Sequence, residues 1–148
     1  MIERLVDLIR KGQFEEALGL QDSDSFQQEN SFLFGYALYR LDRFDECIQA
    51  LAHVPALEKS TVKCYSLKAQ ALYKLGRYKE SAALYAKLMV VCPERMLEWS
   101  TNHSASLAMT CSDFEIKEKV CDVLIPLFRS IFKFPSRTMS LSSIRPLV

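Results

Sequence analysis

Leucines, alanines and aromatics return along this chain at intervals of three and four residues, with short polar stretches between them. That period lays apolar side chains along one stripe of a helix, so the chain reads as a string of amphipathic helices. They are expected near residues 2–11, 14–20, 29–41, 44–53, 58–75, 78–91, 94–110 and 114–133. Pro126 should kink or split the last of these, because it lacks an N–H and crowds the preceding turn. The pattern also repeats on a longer scale. Residues 37–46 return, thinly altered, as residues 71–80, 34 positions on. Setting 31–54 against 65–88 leaves eight of 24 positions identical, with Arg40/Lys74 and Phe44/Tyr78 exchanged for like residues.

A 34-residue period is that of the tetratricopeptide repeat (TPR), in which two antiparallel helices form one unit and units stack. Such a unit places a bulky residue fourth, small ones eighth and twentieth, glycine near fifteenth, aromatics seventeenth and twenty-fourth, and often proline near the end. Small residues let the helices approach closely, and the aromatics fill the gap to the next pair. Tyr65, Ala69, Leu72, Gly76, Tyr78, Ser81, Tyr85 and Pro93 match this order. Ser31, Gly35, Leu38, Asp42, Phe44, Cys47 and Leu51 do so in the preceding unit, where aspartate replaces the turn glycine because it tolerates the left-handed conformation. Leu5, Leu8, Gly12, Phe14 and Ala17 mark a further unit upstream, with a trimmed linker over 21–28. Trp99, 34 residues after Tyr65, opens a fourth first helix with no turn glycine behind it.

The expected fold is therefore all-α, a right-handed α-solenoid of TPR helix hairpins over residues 1–134. It would hold about four helix pairs, the first and last degenerate. Residues 135–148 shift to serine, arginine and proline and read as a disordered tail.

Composition narrows the chemistry rather than the fold. The net charge of +1 hides an asymmetry: residues 1–58 carry 11 acids against 5 bases, and residues 59–148 carry 7 against 14. No block of five like charges occurs, so the asymmetry reads first as two differently solvated surfaces. Cys47, Cys64, Cys92, Cys111 and Cys121 form no C-x-x-C pair, which fits a reducing cytoplasm better than a disulfide framework. The opening Met1–Asp7 is charged too early for a secretory leader. The apolar run 120–134 contains Asp122, Arg129 and Lys133 and is too short to span a bilayer, so no membrane role is expected.

Catalysis finds no foothold in the sequence. It has no glycine-rich phosphate loop, no H-E-x-x-H and no G-x-S-x-G, and no cofactor is expected. His103 and Cys111 stand two helical turns apart, about 12 Å, too far for a nucleophile–base pair. With Cys121 they include no short ligand pair for a metal.

Binding is the better reading. In TPR stacks the first helices line the concave face, and four positions of each look into it. That architecture nominates Ile2, Val6, Ile9 and Arg10, then Phe32, Tyr36, Tyr39 and Arg40, then Ser66, Gln70, Tyr73 and Lys74. Phe32, Tyr36, Tyr39, Arg40, Gln70, Tyr73 and Lys74 form the expected partner-binding set, aromatics flanked by cations of the types enriched in binding hot spots. Tyr39 and Tyr73, repeating beside a cation, are expected to face the groove and to be replaceable without loss of fold. The Lys and Asn clamp by which some co-chaperones hold an acidic C-terminal tail is missing from these positions.

One ordered set of segments is more specific. Glu94-Arg95 followed by Thr101-Asn102-His103-Ser104-Ala105 resembles the E-R-x-T-N-x-S-A stretch in the TPR region of the 72-kDa subunit of the signal recognition particle, with a longer gap after Arg95. Residues 39–43, 73–80 and 12–18 resemble that family's Y-R-L-x-R, Y-R-L-x-R-Y-x-E and G-x-F-x-E-A-L in the same order. The resemblance implies a non-catalytic cytoplasmic scaffold that holds a segment of the particle's 68-kDa subunit during co-translational targeting to the endoplasmic reticulum. RNA would be touched only indirectly or weakly, since the family's Lys-rich RNA-binding region has no counterpart here. The alternative is a TPR adaptor of another assembly, such as an anaphase-promoting-complex-like subunit.

Overall fold

Three residues in the left-handed region punctuate the chain: Gly12, Asp42 and Gly76, with φ of 75°, 58° and 77°. The computed structural model describes residues 1–20 and 23–110, and each of these three residues closes the first helix of a hairpin. The helices are α1 (Ile2–Arg10), α2 (Phe14–Leu18), α3 (Asp24–Glu29), α4 (Ser31–Arg40), α5 (Phe44–Ala50), α6 (Val62–Lys74), α7 (Tyr78–Val91) and α8 (Met96–Thr110). Single 3-10 turns at Lys59–Thr61 and Pro93–Arg95 lead into α6 and α8. No strand occurs among the described residues.

The three hairpin turns are built alike. The N–H of Gln13, Arg43 and Arg77 donates to the carbonyls of Leu8, Leu38 and Leu72, each at 2.9 Å. The left-handed residue before each donates to Ile9, Tyr39 and Tyr73 at 3.1, 3.1 and 3.0 Å. This double bond is the Schellman closure, which satisfies the helix's last carbonyls while reversing the chain. Glycine takes the required φ without strain, and Asp42 takes it as the sequence anticipates.

Burial follows the repeat register. Leu5, Leu8, Ala17 and Phe34 form the core between the first two hairpins. Leu38, Cys47, Leu51, Leu67 and Ala71 form the next layer, and Val62, Ala69, Tyr85, Leu88 and Trp99 the last. Gly35 is there because α4 must pass close to its neighbours: a Cβ on it would meet Leu51 Cδ2 at 3.1 Å and Leu67 Cδ2 at 3.5 Å. Trp99, expected to open a fourth first helix, is fully buried on α8. Its indole Nε1 donates to the Cys92 carbonyl at 3.0 Å, and the Arg95 guanidinium lies 4.4 Å over its ring. Pro93 at the start of the 3-10 turn cannot donate to the ladder, so α7 stops at Val91 and the turn leads on to α8.

The architecture is thus an all-α solenoid of helix hairpins, as expected. Two expectations need correction. The stretch 21–28 is not merely a linker, since α3 occupies Asp24–Glu29. Ser23 caps it by accepting the Phe26 N–H at 3.2 Å, and Phe26 then packs edge-on against Phe34 with centroids 5.9 Å apart. The second helix of the middle hairpin is also shorter than expected, ending at Ala50 rather than near 53. The helix expected at 114–133, its kink at Pro126 and the tail 135–148 lie outside the described residues.

Candidate functional site

Helix α4 carries the densest group of candidate residues, and α1 and α6 pack beside it. Phe32, Tyr36 and Arg40 follow one another at four-residue spacing, which stacks them along one face. The rings of Phe32 and Tyr36 are stacked with centroids 6.3 Å apart. Arg40 Nη1 donates to the Tyr36 hydroxyl at 2.9 Å, and its guanidinium carbon lies 5.9 Å from the Tyr36 centroid. The same guanidinium sits 5.2 Å over the ring of Phe14, which meets Tyr36 edge-on at 6.2 Å. An exposed arginine is therefore held on two aromatic rings from successive hairpins, a cation–π seat that fixes it without another charge.

Phe14 was not among the expected site residues. Its place just after the turn marked it only as a packing aromatic. Its contact partner lies 26 residues further along the chain, where local pattern says nothing.

Tyr39 and Tyr73 sit differently from the expectation. Both are half-buried, and each ring packs edge-on against the aromatic that follows its own turn. Tyr39 meets Phe44 at 5.4 Å and Tyr73 meets Tyr78 at 5.2 Å. Burial raises the Tyr39 phenol above its ordinary pKa, with smaller contributions in the same direction from Cys47 and Asp42 and an opposing one from Arg40. These tyrosines clamp the hairpin turns, so their replacement touches stability as well as any groove.

Gln70 is a plainer correction. It was expected to offer its amide to a partner, but it is 0% exposed, and Ser66 one turn earlier is buried as well. Packing of α6 against α4, α5 and α7 closes over them. Lys74 and Arg10 are exposed at the ends of their helices, and Ile9 turns inward against the first core. Ile2 is half exposed and Val6 half-buried.

Three other arginines, Arg43, Arg77 and Arg95, behave differently from Arg40. Arg43 clasps Glu46 with two hydrogen bonds of 2.8 and 2.5 Å, Arg77 clasps Glu80 at 2.9 and 2.7 Å, and Arg95 clasps Glu98 at 2.7 and 2.6 Å. In each pair glutamate stands in the first turn of a helix, where the macrodipole also favours it. The bonds from Arg43 and Arg77 hold the carboxyls of Glu46 and Glu80 below the usual carboxylate range. Burial of Cys47 against the middle hairpin pushes its thiol up to about 12, which makes it a packing group rather than a nucleophile.

Among the described residues no helix is long and apolar enough to cross a membrane, and no three His, Cys, Asp or Glu gather as a metal site. The family model described as anaphase-promoting complex, cyclosome, subunit 3 matches residues 13–88, from the first hairpin turn through most of α7. The chain is 35% identical over 89 residues to the human protein described as signal recognition particle subunit SRP72, and equally to that of the dog. That match covers 58% of this chain, and the chain spans 13% of the length of either relative. No solved structure matches it. Periodic sequence, three similar hairpin turns and the family match agree: the chain belongs to the TPR-type family described by that anaphase-promoting-complex subunit 3 model, and part of it is similar to a segment of SRP72.

Proposed function

We propose that this chain is a non-catalytic scaffold that holds a segment of another protein along its first helices, as a component of the signal recognition particle. The observation that carries the assembly is the 35% identity to SRP72, which runs through the repeats. Stacked repeats bury their own cores and leave one elongated surface for a partner, which is how such solenoids bind. Phe32, Tyr36 and Arg40, with Phe14 beneath the guanidinium, would be the centre of that surface, flanked by Tyr39, Tyr73 and Lys74. Large rings and a preorganised arginine bury much area at little entropic cost.

On this reading the held segment belongs to the particle's 68-kDa subunit, the setting is cytoplasmic, and the work is targeting of nascent chains to the endoplasmic reticulum. An adaptor role in an anaphase-promoting assembly is less favoured, since the identified relatives are particle subunits. Affinity purification of the tagged full chain from its own cells tests the proposal. Recovery of the 68-kDa subunit together with the particle's RNA is expected. Recovery of anaphase-promoting subunits without that RNA would overturn it.

A further inference from the structure

Resting on that reading of the groove, we infer that Arg40 reads a carboxylate, and that the held segment is acidic, offering Asp or Glu side chains to Arg40 and to Arg10 and Lys74 on either side.

The first observation is what Arg40 does not do. Arg43, Arg77 and Arg95 each bind a glutamate three residues on, whereas no carboxylate among the described residues pairs with Arg40. Its hydrogen bond runs from Nη1 to the Tyr36 hydroxyl. A guanidinium carries five donors, so the remaining edge can take a carboxylate through two parallel bonds. The rings of Phe14 and Tyr36 already hold the group at 5.2 and 5.9 Å. Little side-chain freedom is then left to lose on binding.

The second observation is register. Arg10, Arg40 and Lys74 each end a first helix, two residues before the left-handed residue of their turns. All three are exposed, and none is in an ion pair among the described residues. Three similarly closed hairpins therefore carry a cation at the same register, a file of one per first helix. A cation in a helix's last turn is favoured by the macrodipole alone, which accounts for the charge. It does not account for a seat assembled from rings of two hairpins. Nucleic acid fits this file less well. The ring faces under the guanidinium are closed to a base, and residues 1–58, with 5 bases against 11 acids, repel a long polyanion more than a short acidic peptide.

The test pans the immobilised full chain against a phage library of short random peptides. Selected peptides are then measured by fluorescence anisotropy on wild type, Arg40→Gln, Arg40→Lys, Lys74→Gln and Phe32→Ala, with thermal unfolding of each variant alongside. Expected results are enrichment in Asp and Glu, weakening of about tenfold in Arg40→Gln, partial recovery in Arg40→Lys, and loss of affinity with added salt. Lys74→Gln, which disturbs no ring contact, carries the same expectation should Arg40→Gln unfold. Peptides selected without acidic enrichment, or bound as tightly by Arg40→Gln, would overturn the carboxylate assignment and leave the groove standing. Tighter binding of an oligo(U) probe than of any selected peptide would overturn it in favour of phosphate. Failure to select any peptide whose binding falls in Phe32→Ala would overturn the groove itself.

Discussion

Laid over one another, the hairpins α4–α5 and α6–α7 share both turn hydrogen bonds, the tyrosine packed on the aromatic after the turn, and the arginine clasped to a glutamate. They also bury Ala37 and Ala71, and Leu38 and Leu72, alike, but part company at other positions. Helix α5 has 7 residues where α7 has 14. Leu51 fills the place that Tyr85 takes, and half-exposed Tyr36 stands where Gln70 is fully buried. Cys47 packs as a small hydrophobe, whereas Ser81 at the same place donates to the Ala69 carbonyl at 2.8 Å and meets Ser106 Oγ at 3.2 Å. The repeat thus encodes a turn and its clamp. What lies beyond the turn is free to specialise, toward an open aromatic surface in one hairpin and toward burial in the next.

Removing the largest buried group should expose that division most sharply. Tyr85→Ala is expected to cost about 3–5 kcal/mol, at the upper end of what Leu51→Ala costs, as read by chemical denaturation. Equal losses at the two sites would break the comparison. Tyr85→Phe should be neutral or stabilising, because the buried hydroxyl finds no hydrogen-bond partner among the described residues. A clear destabilisation by that change would mean the hydroxyl is paired.

The shared parts should respond alike. Tyr39→Ala and Tyr73→Ala are each expected to lower stability by about 1–3 kcal/mol, as half-buried rings do, and by similar amounts. An unchanged melting temperature in either would return that tyrosine to the groove alone. At the turns, Gly76→Ala should cost about 1–2 kcal/mol for a side chain forced to positive φ. The reverse exchange, Asp42→Gly, should stabilise by a fraction of that, and a loss there would show that the Asp42 side chain supports its turn.

The smallest effect concerns pH. Glu46 and Glu80 have folded-state pKa values held below the ordinary carboxylate value by Arg43 and Arg77. Such a group contributes stability above its unfolded pKa of about 4.3 and loses it as pH falls through the folded value. Melting temperatures should therefore dip slightly on acidification below that range, and less in Glu46→Gln with Glu80→Gln. A dip confined to one of the two single variants would show that the clasps are not equivalent.

Much of this architecture was legible because turn chemistry is local. Gly12, Asp42 and Gly76 announce left-handed positions by residue type alone, and after Asp42 and Gly76 the aromatic two residues on announces the clamp. Helix α3 was missed because its six residues are too few to show a period, and its Ser23 cap lies in a polar stretch that reads as loop. The site was less legible. Whether a position opens to solvent or closes under a neighbour depends on how far helices from different hairpins approach. Gln70 and Tyr36 occupy equivalent places, yet one is sealed and the other shown. Phe14 joined Arg40 by the same long-range packing.

The sequence contains a single tryptophan, and it sits sealed at the junction of α7 and α8, indole nitrogen tied to Cys92 and ring face against Tyr85 at 6.4 Å. Its fluorescence is thus a built-in gauge of one seam. Emission should stay blue while that seam is shut and shift red when α8 parts from α7, letting an optical trace separate opening of this seam from collapse of the whole fold.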